Sequence, residues 1–321
     1  MINIHTNPAY VEVGIEKAEK VIPINALKAT NKIRKYLNAK EPELVFFLQT
    51  LWNNQGKAIT YKELREAILD GYLSEKLMEE WYQDYSKFVV DKVAPMWADA
   101  MKEANSELYK NPKFYFDPMQ QEVVDWTNTR AAMFVTSVTK EQIAGIREVV
   151  KRASQLNDMN VDELSRAIRP MVGLDYRQSI ANMNYYTKMI ESGAKPRTAL
   201  EKSIKYSARQ NRHRAYRIAR TELVFAYNQG SYYGTKQAQS QGLLGKVEKV
   251  WCTADDERTC EICGSLDGKR IAMDDDFDFK TKLIEPGIKR VPPAHPHCRC
   301  TVIFDEVEPP IQAVEIPDII Q

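Results

Sequence analysis

The sequence predicts an α+β chain: a mostly α-helical N-terminal region followed by a small C-terminal α+β module held by a cluster of cysteines and histidines. Three observations carry the prediction. Up to about residue 240 the apolar residues recur at helical spacing, punctuated by caps, glycines and prolines. Beyond Gly242 the texture turns to short alternating runs among Gly, Asp and Pro. Four of the five cysteines form two tight groups, Cys260-x2-Cys263 and His295-x-His297-Cys298-x-Cys300, the ligand spacing of a zinc knuckle joined to a second knuckle. With 321 residues there is room for about two domains. We divide the chain into an N-terminal helical region (1–110), a helical region ending in a long basic helix (111–241), a zinc-stabilised module (242–305) and an acidic tail (306–321).

The first predicted helix is Pro42–Trp52, with a stripe of Leu44, Phe47, Leu48 and Leu51 that ends at Asn53, Asn54 and Gly56. Thr60-x-x-Glu63 has the form of a capping box and opens a helix to Leu69, which Gly71 stops. A long pattern from Ser74 runs through Trp81, Tyr85 and Phe88, with a kink or break expected at Pro95 before a helix over Met96–Leu108. Asn111–Pro118, rich in Pro and aromatic residues, reads as a loop. Thr139-Lys140-Glu141-Gln142 reads as another capping box that starts a new helix. Asn160 caps a short helix to Met171, Gly173 turns the chain, Tyr176–Glu191 is helical, and Gly193–Pro196 breaks it. A last helix spans about Thr198–Gln239. Lys246–Thr253 and Val302–Phe304 read as strands, with Cys252 a small buried residue of the first. Met1–Asn25 and Glu306–Gln321 read as arms.

Charges are nearly balanced, 45 Lys plus Arg against 44 Asp plus Glu, so the net charge of +1 argues against a chain that coats nucleic acid over its whole surface. A local patch is another matter. Lys202, Lys205, Arg209, Arg212, Arg214 and Arg217 crowd the long helix with Glu201 as the one acid nearby, and at 100 degrees per residue most fall on one stripe, with Ile204, Ala208, Ala215 and Ile218 on another face. This face suits sequence-independent DNA binding through phosphates, or a solvated face paired with the acidic tail. No signal peptide or bilayer-spanning run is visible, and clustered cysteines suit a reducing cytosol.

The metal candidates are Cys260, Cys263, His295, Cys298 and Cys300, with Cys260, Cys263 and Cys298 plus either His295 or Cys300 as the favoured set; unmetallated buried thiols are the bland alternative. A closed four-ligand site is structural, replacing the core that so small a module lacks. A His-Asn-His nuclease is disfavoured, because Gly264–Ala294 holds neither Asn nor His. Asp274–Asp278 lacks the Gly and Glu of an EF-hand loop and reads as a solvated acidic loop.

With these residues set out, the motif order resembles the phage Mu F-like family of minor head, or head-morphogenesis, proteins. The resemblance runs from about Val138 to Phe304. Its marks are Ile218-Ala219-Arg220-Thr221-Glu222 with Asn228 and Gly230, then Trp251, Asp256, Arg258 and the first cysteine pair, Leu266–Lys269, and Pro293-x-His295-Pro296-x-Cys298-Arg299-Cys300. At His297 that family pattern more often has a polar residue such as Asn. The resemblance implies a non-enzymatic late protein of the virion, at the portal vertex of the head and in the host cytoplasm during assembly, with the portal protein and other head proteins as partners, DNA as a further candidate, and no membrane. Arg220 and Glu222 are expected to lock the long helix to the module by pairing with Asp256 or Arg258. The rivals are an enzyme, nuclease or toxin-like, built on Glu222, Asp256 and the metal cluster, and a cellular DNA-binding zinc protein.

Overall fold

Helical stripes in the first three quarters of the sequence become eight α-helices and short turns, and the last quarter a small sheet with one short helix, in a computed structural model that describes residues 24–156, 159–254, 256–279 and 289–309. The helices are α1 (Ile24–Ala58), α2 (Tyr61–Asp70), α3 (Glu75–Phe88), α4 (Ala94–Ala104), α5 (Gln121–Ser154), α6 (Val161–Ile168), α7 (Tyr176–Glu191) and α8 (Pro196–Ser240). The module contains β1 (Lys246–Cys252), α9 (Glu261–Leu266), β2 (Arg270–Ala272) and β3 (Thr301–Glu308). Its strands form an antiparallel sheet in the order β2-β1-β3, with Trp251 opposite Val302.

Several local signals act as read. Thr60 and Glu63 cap α2 reciprocally and Gly71 ends it at a φ of 74°. Ser74 caps α3 and Asn160 caps α6. Three expectations change. α1 runs through Pro42 from Ile24, because Ile33, Leu37, Leu44, Leu48 and Trp52 form one continuous buried stripe. Pro95 does not break the chain: a π-helical turn over Val89–Val93 precedes it, and Pro95 sits in the first turn of α4, where a missing N–H costs nothing. Thr139 does not start a helix. It lies buried inside α5, where the stripe Phe134, Val135, Val138, Gln142 and Ile146 continues through it, so packing overrides the local capping signal.

α8 is the spine of the molecule. At about 1.5 Å per residue it is roughly 67 Å long, and it crosses all three cores. Its start packs through Ala199 with α2, α6, α7 and the second half of α5. Its middle, through Ala215, Ala219 and Leu223, joins the core of α1, α3, α4 and the first half of α5. Its end, through Tyr232, Tyr233 and Ala238, joins Trp251, Phe277 and the cysteines of the module. The sequence division at residue 110 therefore falls inside a shared core, and the strand β3 carries the chain past 305 to Glu308. The arm at 1–23 and the tail beyond Pro309 lie outside the described residues.

α4 and α8 approach most closely at two glycines. Asn105 donates to the carbonyls of Met101 and Gly230, both at 2.9 Å. A Cβ on Gly230 would overlap the Met101 backbone, and one on Gly234 the Asn105 amide. We therefore expect Gly230→Ala to destabilise the chain by about 1–3 kcal/mol through overpacking, read as a fall in thermal midpoint. An unchanged midpoint would mean that α4 is free to move aside.

Candidate metal centre

The first cysteine pair sits on a turn made for it. Cys260 is the N-cap of α9, Gly264 donates to its carbonyl at 2.8 Å, and the Cys263 amide donates to its sulfur at 3.5 Å. The second group comes from the loop leading into β3. His295 Nε2 lies 3.1 Å from both Cys260 Sγ and Cys263 Sγ, and Cys263 Sγ lies 3.8 Å from Cys298 Sγ.

Two overlapping triads result, Cys260–Cys263–His295 and Cys263–Cys298–Cys300, each with donor atoms within 4.8 Å of one another. Cys263 belongs to both. Two thiolates at zinc's bond length of about 2.3 Å in a tetrahedron stand about 3.8 Å apart, which is the Cys263–Cys298 separation. The His295 ring is oriented for ligation too, with Nδ1 held 2.8 Å from the Pro296 carbonyl and Nε2 turned to the thiols. The donor set thus fits a metal ion: soft sulfur and imidazole, converging, with an outer partner on the ring.

Electrostatics within the sulfur group point the same way. Burial opposes charge on Cys298, but the thiols of Cys263 and Cys300 outweigh it and hold its pKa well below the usual range. The hydrogen bond to Cys298 pushes Cys263 up, and those to Cys263 and Cys298 push Cys300 up. A divalent cation bound here would favour the thiolate form of its ligands.

Of the two histidines in the loop, His295 meets the thiols and His297 does not. His297 adopts a φ of 68°, a region that Asn and His tolerate better than most residues. Its ring lies 5.4 Å from that of His213 on α8, and its backbone N–H donates to Thr221 Oγ1 at 3.2 Å. Burial, then the charge of Arg220, lowers its pKa to about 4, so the ring is neutral.

The Arg-Thr-Glu stretch of α8 does lock the molecule together, though not by the expected pairs. Arg220 makes a two-pronged bond to Glu41 of α1, at 2.7 and 2.8 Å. Glu222 is buried and clasped by both Arg130 Nε and Nη2 from α5. Thr221 takes the His297 amide from the module. Asp256 pairs instead with Arg299, at 2.6 Å through both nitrogens, and the Arg299 bonds hold its carboxyl below the usual range. Arg258 donates its backbone N–H to Asp256 and its side chain faces Glu257 at the surface. The expected pairing of Arg220 or Glu222 with Asp256 or Arg258 is thus replaced, because α1 and α5 lie closer to that face of α8.

Asn228 links helix and module by three hydrogen bonds. Its Oδ1 accepts from Thr301 Oγ1 at 2.9 Å and from the Val302 amide at 3.2 Å, and its Nδ2 donates to the Cys300 carbonyl at 3.2 Å. It therefore fixes the entry of β3 and one of the cysteine donors in a single residue. Trp251, fully buried on β1, stacks edge-on against Phe277 and Phe279. The acidic loop is tied down as well: buried Lys249 donates to the carbonyls of Met273 and Asp275, and Tyr232 to the Asp274 carboxylate at 2.6 Å.

The basic stripe divides. Lys202, Lys205, Arg209 and Arg212 are exposed, and no carboxylate among the described residues pairs with them. Arg214 is wholly buried, bonded to the Gly173 and Val138 carbonyls and to Glu141. Arg217 is held by Asp175, the N-cap of α7, at 2.8 Å. Both leave the outward face because α8 is packed on this side by α5 and α7. The buried side of the helix here is Ala199, Ser203 and Ser207, whereas Ile204 and Ala208 face outward. Arg130 and Glu41 gave no signal in sequence, since isolated polar residues on helices read as surface.

The sequence model of one family, described as Phage Mu protein F like protein, matches residues 160–303. The resemblance read from the motifs is borne out there, while Val138–Met159 falls outside the match. No curated protein and no solved structure matches the chain. None of the helices among the described residues is long and apolar enough to cross a membrane.

Proposed function

We infer from residues 160–303, which match the model described as Phage Mu protein F like protein, that the chain is a phage head-morphogenesis protein, a minor capsid component that acts at the portal vertex in head assembly. The observation that carries this reading is that the matched stretch holds together: Thr221 and Asn228 of α8 clamp the module, while Arg220 and Glu222 beside them tie α8 to α1 and α5. Zinc closes the module through four of the five donors Cys260, Cys263, His295, Cys298 and Cys300. The chain is non-enzymatic in this account. Glu222 and Asp256, on which an active site would rest, are each engaged by a guanidinium in a two-pronged pair, the geometry of a structural clamp. Purified heads should contain the chain at low copy, and heads assembled with Cys263→Ser should lack it; equal incorporation of that variant would count against the module as the docking part.

DNA contact is the second part of the reading, and the four exposed cations of α8 support it. Replacing Lys202, Lys205, Arg209 and Arg212 with Ala should abolish retention on DNA without altering the thermal midpoint. Four phosphate contacts imply that log affinity falls against log salt with a slope of at most about −4. Retention that survives the four substitutions would remove the stripe from the DNA interface.

A further inference from the structure

A groove unconnected with the metal centre runs between the end of α1, the 3-10 turn Arg169–Met171 and the first half of α8. Trp52, Gly56, Pro170, Val172, Ile204 and Ala208 supply its apolar wall, and its volume is about 480 Å³, within the span of ligand clefts. Ile204 leaves 41 % of its surface exposed there. The rim is basic. Lys57 is exposed, and Arg169 donates to the carbonyls of Gly56 and Lys57. Exposed Lys205 and Arg212 stand within about 60° of Ala208 around α8. The one acid of this stretch, Glu201, is already held by Arg197 at 3.1 Å. An occupant must therefore be apolar and acidic at once.

The chain contains such a segment. Residues 310–321, outside the described structure, carry Ile311, Val314, Ile316, Ile319 and Ile320 together with Glu315 and Asp318, and no base. We propose that this segment of one copy docks in the groove of a second copy of the chain.

Reach rules out the copy's own groove. β3 ends at Glu308 opposite Lys246, and Gln239 donates to the Gly245 carbonyl, so the segment departs beside the far end of α8. Ala208 lies roughly 46 Å back along that helix at about 1.5 Å per residue. At about 3.6 Å per residue fully extended, Ile316 gets no further than about 29 Å from Glu308, and Ile320 about 43 Å. Neither arrives. A second copy meets no such limit, and each copy offers both a groove and a segment, so the contact is head to tail and closes into a ring or extends as a filament.

Sedimentation of the full-length, metal-loaded chain tests this. The native chain should form larger species as concentration rises, while Ile316→Asp with Ile319→Asp, and separately Ile204→Asp with Arg212→Glu, should stay monomeric with native circular dichroism. Mixing the two variants should restore a one-to-one dimer, because one supplies an intact groove and the other an intact segment. A labelled peptide of residues 310–321 should bind the segment variant at least tenfold more tightly than the groove variant. The proposal is overturned if the native chain stays monomeric over the whole range, or if the variants associate as the native chain does. It is equally overturned if a scrambled peptide of the same composition binds as well, which would make the groove a site for some other acidic partner.

Discussion

Stripping the metal, or replacing Cys263 with Ser, is expected to unfold the stretch from Gly242 to Glu308 while the helical circular dichroism of α1 to α7 persists. Cys263 is the residue to choose because it belongs to both donor triads. A three-stranded sheet with one short helix and a β2 of three residues is below the size that a hydrophobic core stabilises unaided. Structural zinc supplies apparent binding free energies of about 10–16 kcal/mol in small modules, comparable with the whole stability of a domain at about 5–15 kcal/mol. The cores around α1 and α6 contain no residue of the module, so they have no reason to melt with it. Limited proteolysis should then cut beyond Gly242 only after chelation. A chelator that removes metal without exposing new cleavage sites there would show that Trp251, Leu266 and Phe277 hold the module by themselves.

Breaking the Arg130–Glu222 pair is expected to have the next largest effect. Glu222→Leu removes the carboxylate that clasps a guanidinium only 7 % exposed, and breaking such a buried pair typically costs about 3–5 kcal/mol. Stacking of Arg130 on the Phe225 ring, 4.6 Å away, offsets only part of that. The double variant Arg130→Met, Glu222→Leu should recover most of the loss, since burying apolar groups of similar volume avoids the desolvation of both charges. Urea unfolding distinguishes the cases by their midpoints. A single variant as stable as the native chain would demote the pair from lock to ornament, and the Arg-Thr-Glu stretch would need another explanation.

How much of this was legible in the sequence depends on the range of the interaction. Thr60 with Glu63, Ser74 and Asn160 announce their helices because both partners of each cap lie within one turn. Thr139 announces one that does not exist, for a capping signal is local and the buried stripe of α5 is not. The cysteine pairs were legible for the same reason as the caps: ligand spacing is short. Spacing favoured His295 over His297 as a ligand, and His295 does turn to the sulfurs; what spacing could not supply is the positive φ of His297 and the Thr221 hydroxyl on a distant helix that meets its amide. Arg214 and Arg217 share a periodicity with the exposed cations, and only the packing of α5 and α7 on α8 separates them. The partners of the lock, Glu41 and Arg130, lie far from it in sequence and on helices whose faces no local rule assigns.

The central claim is that a metal closes the C-terminal module and that α8 clamps the module so closed. Elemental analysis of the purified full-length chain, beside Cys260→Ser with Cys263→Ser, tests it most directly. The account predicts one zinc per native chain and none in the variant, with protection of Gly242–Glu308 lost in step. A native chain free of metal whose module is nevertheless protected from protease would contradict it.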